Sequence, residues 1–454
     1  MFKSLTIHNF KSWKEIQSMR MAPITGLFGS NSSGKTSLLQ LLLLLKQTVE
    51  SPDRAQVLNL GDERSLVTLG TFRDLVHQHE QAGVLDWSFS WVLPKELKVF
   101  DPEQKGVTLF SDQEMRFDAV VTENGSGRMI VKEFVYHFGG QDFILRRKSD
   151  GEERYRLLTS PDTFRFKRTP GRVWELPSAI KCYGFPDQVK AYYQNAGFLA
   201  DFALAFEDLF SRLYYLGPLR DYPKRDYTWA GAQPADMGQR GEKVVDALLA
   251  SRERRERISR GKGLKRHTVE EYVAWWLREL GLIHEFSVEP ITPDSNLYRV
   301  WVRKTPKTAR VLITDVGFGV SQILPVLVLC YYVPRGSIII LEQPEIHLHP
   351  SVQAGLADVF IDAVKTRKIQ ILLESHSEHL LRRLQRRVAE EGISNEDAAL
   401  YFCDISGGIS ELTSLNLDIF GNITNWPPNF FGDDFGEMAA ATRAAMLRKK
   451  NHQT

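Results

Sequence analysis

The chain has 454 residues, 43% of them hydrophobic, 25% charged and 11% aromatic, which is enough to build a real core and excludes global disorder. At about three times the usual single-domain length, it predicts two or three structural units. Lysine and arginine number 58 against 56 aspartates and glutamates, a net charge of +2. No whole-chain field therefore draws it to nucleic acid or membrane, and any such binding has to come from a local patch. Cys182, Cys330 and Cys403 lie far apart and form no C-x-x-C pair. That excludes a disulfide framework or a thiolate zinc site and fits a reducing compartment. The longest apolar stretches, 38–45 and 323–333, are too short to cross ~30 Å of hydrocarbon. The opening MFKSLTIHNFKSWKE carries charge where a secretory signal needs an apolar segment, so a cytoplasmic protein with no membrane contact is expected.

In chain order, residues 1–28 read as strands, with SLTIHNF followed by ITGLFG, an apolar run that stops at a glycine. From Ser33 to about Val49 leucines fall on every face, the pattern of a helix buried all round. Residues 84–180 alternate in short strand-like runs separated by ENGSG and SDGEE, an antiparallel β region. Residues 187–285 look helical, interrupted by YLGPLRDYPKRDYTWAG. Strands return over 286–314. A helix at 319–332, a strand at 337–341, a helix at 351–366, a strand at 369–373 and a helix at 377–391 then alternate as in a parallel α/β sheet. The two ends of the chain thus build one α/β core, with the middle inserted into it.

Gly29-Ser30-Asn31-Ser32-Ser33-Gly34-Lys35-Thr36 fits G-x-x-x-x-G-K-S/T at every fixed position, and it follows an apolar strand and opens a helix. Glycines let the backbone wrap, main-chain N–H groups and the helix N-terminus face phosphate oxygens, Lys35 neutralises the β/γ charge, and Thr36 holds Mg²⁺. ATP with Mg²⁺ is the expected ligand. Such a site also needs an acid for the metal and a group to handle the attacking water. SIIILEQPE supplies Glu342, Gln343 and Glu345 after an apolar strand, and ILLESHS places His376 after another. A histidine there is either structural or within reach of a γ-phosphate. Upstream, DVGFGVSQ opens an apolar helix with Gly319, Ser321 and Gln322, either an ordinary helix start or one that presents N–H groups to an anion.

This order of motifs, from the P-loop through DVGFGVSQ and LEQPEIHLHP to LLESHS, resembles the ABC-type ATPase heads of the SMC, RecF and OLD-like (overcoming lysogenization defect) group. HNFKSW, YLGPLRDYPKR and the tail ITNWPPNFFGDDFGEM are similar to that group too, the last to an uncharacterised tail in one of its branches. The resemblance implies an α/β ATPase head divided into an N-terminal half with P-loop and antiparallel lobe (1–185), a helical insertion (186–285), a C-terminal half (286–395) and a small tail (396–454). It implies that residues 29–37, ending at Ser37, bind the phosphates and that Lys11 approaches them. Glu342 takes the metal-side acidic position, Gln343 the position of a catalytic glutamate, and His376 the switch. Gly319, Ser321 and Gln322 become a signature touching the γ-phosphate of an opposite subunit, and His349 falls on the dimer-crossing loop. Gln78, after FRDLVH, is a candidate for the glutamine that follows the nucleotide.

Two features depart from the group. The acidic pair reads Glu-Gln, and an amide orients water but cannot take its proton. Since general-base help is worth about 10²–10⁴-fold, slow turnover is expected, with Glu345 a candidate substitute. The insertion also lacks a long heptad coiled coil, which makes a compact head. His347 and His349 have no third ligand nearby in sequence for a zinc ion. The basic stretch 252–267, in which Arg252, Arg255 and Glu256 would share a helix face ahead of His267, is either a solvated surface or a non-specific DNA contact. Asp433 and Asp434 read as a surface turn, and the roughly sixty residues after the last strand–helix unit are too few for the nuclease domain of OLD-like proteins. The expectation is therefore a homodimer or larger homo-oligomer closed around ATP, acting as sensor or scaffold for a separate nuclease or toxin in bacterial anti-phage defence. The alternatives are a RecF-like DNA repair ATPase and a self-contained hydrolase.

Overall fold

The computed structural model describes residues 1–80, 83–102, 104, 106–148, 154–172, 175–259 and 265–427, with 430, 440, 442–445 and 448. Two sheets organise them. The first is antiparallel and seven-stranded, running in space Trp13–Arg20, Phe2–Phe10, Val84–Phe100, Thr108–Glu123, Met129–Phe138, Gln141–Arg147 and Tyr155–Ser160. The second has six strands in the order Ile409–Leu415, Ala398–Ser406, Ile24–Gly29, Gln370–Glu374, Ile338–Glu342 and Leu213–Leu216. All its neighbouring strands are parallel except the Ile409–Leu415 hairpin partner.

The parallel sheet reads as unbroken apolar runs because both of its faces are covered. Side chains alternate across it with period two. Ile338, Ile340 and Leu372 enter a core shared with the antiparallel sheet, whereas Ile339, Leu341, Ile371 and Leu373 enter the core under the helices of the other face. The leucine-rich helix Lys35–Glu50 lies in the first core, its leucines from Leu38 to Leu45 almost wholly buried. Phe318–Tyr332, Pro350–Arg367 and Glu378–Ala389 cover the second. The expected α/β architecture is therefore what the chain adopts.

Three details differ from the sequence reading. Leu213–Leu216, inside the stretch read as helical, is an edge strand of the parallel sheet, paired from Leu213 opposite Ile338. The 396–454 segment does not stand apart at its start: Ala398–Ser406 lies directly against the P-loop strand, its unbroken run from Ala398 to Cys403 buried on both faces. Arg255 and Glu256 do not share a helix face with Arg252. The helix ends at Glu253, Arg255 takes a φ of 53°, and Arg257–Ser259 pairs with Arg266–Thr268 as a hairpin. No helix among the described residues is long and apolar enough to cross a membrane.

Candidate nucleotide site

The P-loop strand Ile24–Gly29 ends against Cys403 of the neighbouring strand. Gly29 has a φ of 134°, and a Cβ there would strike the Cys403 carbonyl, so only glycine fits. Gly34, with φ 90°, is hemmed in by Ser12, Trp13 and Ser410. The buried Trp13 indole donates to the Gly34 carbonyl at 3.0 Å, and Ser410 Oγ meets Ser12 Oγ at 2.7 Å. The loop is thus held from outside by the opening hairpin turn and by the late hairpin. The helix it opens has no side-chain cap and no acidic residue in its first turn, so its first N–H groups stay available to an anion. Ser30, Asn31 and Ser32 are exposed, Ser33 Oγ donates to the Ser30 carbonyl at 2.9 Å, and Ser37 is half-buried.

Lys35 is buried, with its ammonium turned onto the loop's own oxygens: Ser30 O at 2.5 Å, Gly29 O at 3.2 Å and Ser33 Oγ at 3.3 Å. Burial pulls its pKa below the ordinary lysine value. These are weak neutral partners for a buried cation, and a phosphate would replace them with charge-assisted bonds. Lys35 and the loop fit a triphosphate on this ground.

Opposite the loop stand three buried carboxylates. Glu342 ends its strand directly across from Glu374 of the next, and burial together with the Glu374 charge lifts its pKa to about 7. Glu374 Oε2 accepts the Thr36 hydroxyl at 2.8 Å, and the Gln343 side chain bonds it as well. Glu345 accepts the His376 N–H at 2.6 Å through Oε1, while its buried Oε2 finds no hydrogen-bond partner among the described residues. The exposed His376 ring hydrogen-bonds the Gly29 main chain, and burial of part of the ring, with Lys35 nearby, holds its pKa low. Thr36, Lys35, Gln343, Glu345 and His376 therefore meet in one place.

Two members of this site were not assigned from sequence. Glu374 was legible: SIIILE and QILLE are twin apolar strands that both end in Leu-Glu, and parallel pairing sets those ends side by side. Arg220 was not, since nothing in YLGPLRDYPKR distinguishes it from Arg225. Its guanidinium is buried and donates to the carbonyls of Pro218 at 3.0 Å, Glu342 at 3.2 Å and Gln343 at 3.3 Å. Burial lowers its pKa to about 10 against the opposing pull of Glu345, Tyr215 and Glu342.

The remaining candidates lie around this centre. Lys11, with φ 53°, hydrogen-bonds Gln40 on the P-loop helix, and burial lowers its pKa. Gln78 is exposed on a turn fastened beside it, where His77 Nδ1 meets the Lys11 carbonyl at 2.8 Å. In the signature segment Ser321 is buried and spends its hydroxyl on the Phe318 carbonyl, and Gln322 is buried with Nε2 unpaired among the described residues. Gly317, Phe318 and, in part, Gly319 form the surface of that turn instead. His347 and His349 are exposed, His349 pairing with Ser351 at 2.9 Å. Asp433, Asp434 and residues 260–264 of the basic stretch lie outside the described residues. A separate cavity of about 490 Å³, lined by Lys181, Tyr183, Leu199, Leu204 and Glu207, touches none of these groups.

The family model described as "AAA domain, putative AbiEii toxin, Type IV TA system" matches residues 24–382, from the P-loop strand past His376. The chain belongs to this AAA family. Residues 393–440 match a second family, described as a protein of unknown function. Comparison with curated proteins returns no match. Among solved structures the chain is similar to the SMC head domain from Thermotoga maritima, at 11% identity over 91% of this chain and 99% of that one, with a TM-score of 0.42. It is similar to the SMC head bound to the C-winged helix domain of ScpA, at 11% identity over 92% and 98%, TM-score 0.44. A third is the SMC head domain with an extended coiled coil, bound to the C-terminal domain of ScpA derived from Pyrococcus furiosus, at 10% identity over 92% and 96%, TM-score 0.41. Membership of the AAA family makes this an ATPase-type nucleotide-binding chain.

Proposed function

We propose that this AAA-family chain is a slow, nucleotide-gated switch: Mg²⁺-ATP binds residues 29–37, and turnover is limited because Gln343 stands where a general base is needed. The observation that carries this reading is the meeting of Lys35 and Thr36 with Glu342, Gln343 and Glu374 at the ends of adjacent strands. Lys35 and the helix N-terminus bind the phosphates, Thr36 and the acids hold the metal, and Gln343 orients a water without accepting its proton. Bound Mg²⁺ supplies charge neutralisation at the β/γ oxygens.

Exposed apolar groups beside the signature turn support head-to-head assembly. Leu219 is 64% and Tyr222 76% exposed, and the Tyr222 ring lies 5.5 Å from that of Phe318. The toxin system in the family's description supports a role in bacterial anti-phage defence, with a separate nuclease or toxin as effector. The exposed Arg255, Arg257, Lys265 and Arg266 favour non-specific DNA contact as a second input, the feature a RecF-like repair ATPase would use.

Single-turnover hydrolysis with protein in excess, alongside light scattering, tests the reading. Expected are slow phosphate release, an ATP-dependent or pre-formed oligomer, and a rate increase in Gln343→Glu of about 10²-fold, the lower end of general-base help. Rapid, DNA-stimulated turnover in the unmodified chain would overturn it in favour of the repair reading.

A further inference from the structure

We propose that the cavity of about 490 Å³ between the helix Leu199–Ser211 and the loop around Lys181 binds a small organic acid, its apolar body against the helix and its carboxylate on the Lys181 ammonium. The volume lies within the ~300–1,000 Å³ of small-molecule sites. The helix sequence makes the room. On its core side Phe202, Phe206, Leu209 and Phe210 are buried. Along the cavity, Leu199, Ala203 and Glu207 recur at helical spacing beside Ala200 and Leu204. Two alanines thus stand where large side chains would close the space. Leu204 lines the cavity and is 60% exposed, so a ligand can enter from solvent.

The charges of the lining select an anion. Arg54, Lys181 and Lys190 stand there against Asp187 and Glu207. Both carboxylates already have partners. Asp187 accepts from Arg54 at 2.8 Å, and Glu207 accepts the Tyr183 hydroxyl at 2.8 Å, the Tyr183 ring lying 4.4 Å from that of Phe206. Lys181 is buried and has only neutral partners, the carbonyls of Val49 and Ser51 at the end of the P-loop helix, each at 2.8 Å. An ammonium carries three N–H groups, so one is left without a partner among the described residues. A carboxylate would give this buried cation the charge-assisted bond it lacks, in surroundings where such a bond is worth more than in water. The backbone adds a second sign. Lys181 holds a φ of 53°, and its N–H is tied to the Arg54 carbonyl at 3.1 Å. Residues other than glycine rarely take this conformation, and those that do gather where ligands are clamped.

Calorimetry on the full chain with phenylbutyrate and octanoate, one aromatic and one aliphatic body, tests this, with the uncharged phenylbutyramide and octanamide as references. At least one acid is expected to bind about 10–100-fold more tightly than its amide, the worth of one hydrogen bond to a charged group. Lys181→Met, which keeps the apolar stem and removes the charge, should erase that preference and leave amide binding in place. Ala203→Phe fills the cavity without touching a charge and should abolish binding of acid and amide alike; it carries the test where the Lys181 variant does not fold. Acid binding that survives Ala203→Phe lies elsewhere on the chain and overturns the site. A preference for the acids that survives Lys181→Met, or equal binding of acid and amide by the unmodified chain, overturns the choice of ligand. No saturable binding of either acid overturns the proposal as a whole.

Discussion

Two clusters of charged side chains, one on the antiparallel sheet and one at the ends of the parallel strands, are built on opposite terms. On the first, His137 sits between Asp142 at 2.6 Å and Asp118 at 2.9 Å, and Asp118 also takes Ser88 at 2.5 Å and Arg116 at 2.9 Å. Each charge there faces its opposite. In the second, Glu342, Glu345 and Glu374 are buried together, while Arg220 spends its donors on main-chain carbonyls and Lys35 on its own loop. The satisfied cluster fastens four strands and needs nothing more. The frustrated one stores an electrostatic demand that, on the proposed reading, a divalent cation and a triphosphate would meet together, which is how binding sites differ from structural ion pairs.

Removing the cation in the frustrated cluster should have the largest effect on stability. Arg220→Met strands three carbonyls and leaves Glu345 and Glu342 uncompensated, so it is expected to cost about 3–5 kcal/mol in urea unfolding. A loss under 1 kcal/mol, on the scale of a surface pair, would erase the contrast between the clusters.

Removing an anion there should do the reverse. The Glu342 carboxyl, raised from 4.5 to about 7, contributes its stability while protonated and loses it as pH rises through that interval. Metal- and nucleotide-free protein should therefore weaken between about pH 5 and 8, and Glu342→Gln should flatten the decline and gain on the order of 2 kcal/mol at pH 8. A thermal unfolding series in EDTA reads this, and a destabilised Glu342→Gln at pH 8 would contradict it.

The smallest effect belongs to the satisfied cluster. Burial alone would lower the His137 pKa, but Asp118 and Asp142 raise it above 6.5 on balance. Its contribution is present below that value and fades as pH rises through the raised one. The groups are partly exposed, so His137→Asn should cost less than about 1 kcal/mol, and only at the acid end. A loss of that size persisting at pH 9 would show that packing, not charge, matters there.

Much of the nucleotide side was legible because it depends on local chemistry. A P-loop declares itself by glycines, Lys35 and Thr36 in fixed spacing, and a strand buried on both faces by its unbroken apolar run. The edge strand Leu213–Leu216 was hidden because four residues, LYYL, show no period that separates strand from helix. The turn at Arg255 was hidden by a helix-favouring charge run that the left-handed conformation breaks. Arg220 and the pairing of Glu374 with Thr36 join residues 122 and 338 positions apart in sequence, so only the sheet's strand order reveals them.

The demand stored at the strand ends is tested most directly by thermal unfolding of the full chain with ATP alone, Mg²⁺ alone and both together. If cation and triphosphate complete one electrostatic site, as proposed, the two together should raise the midpoint by more than the sum of their separate effects, with about 2.7 kcal/mol gained at a hundredfold excess over Kd. Equal shifts with and without Mg²⁺, or no shift with both, would contradict the account.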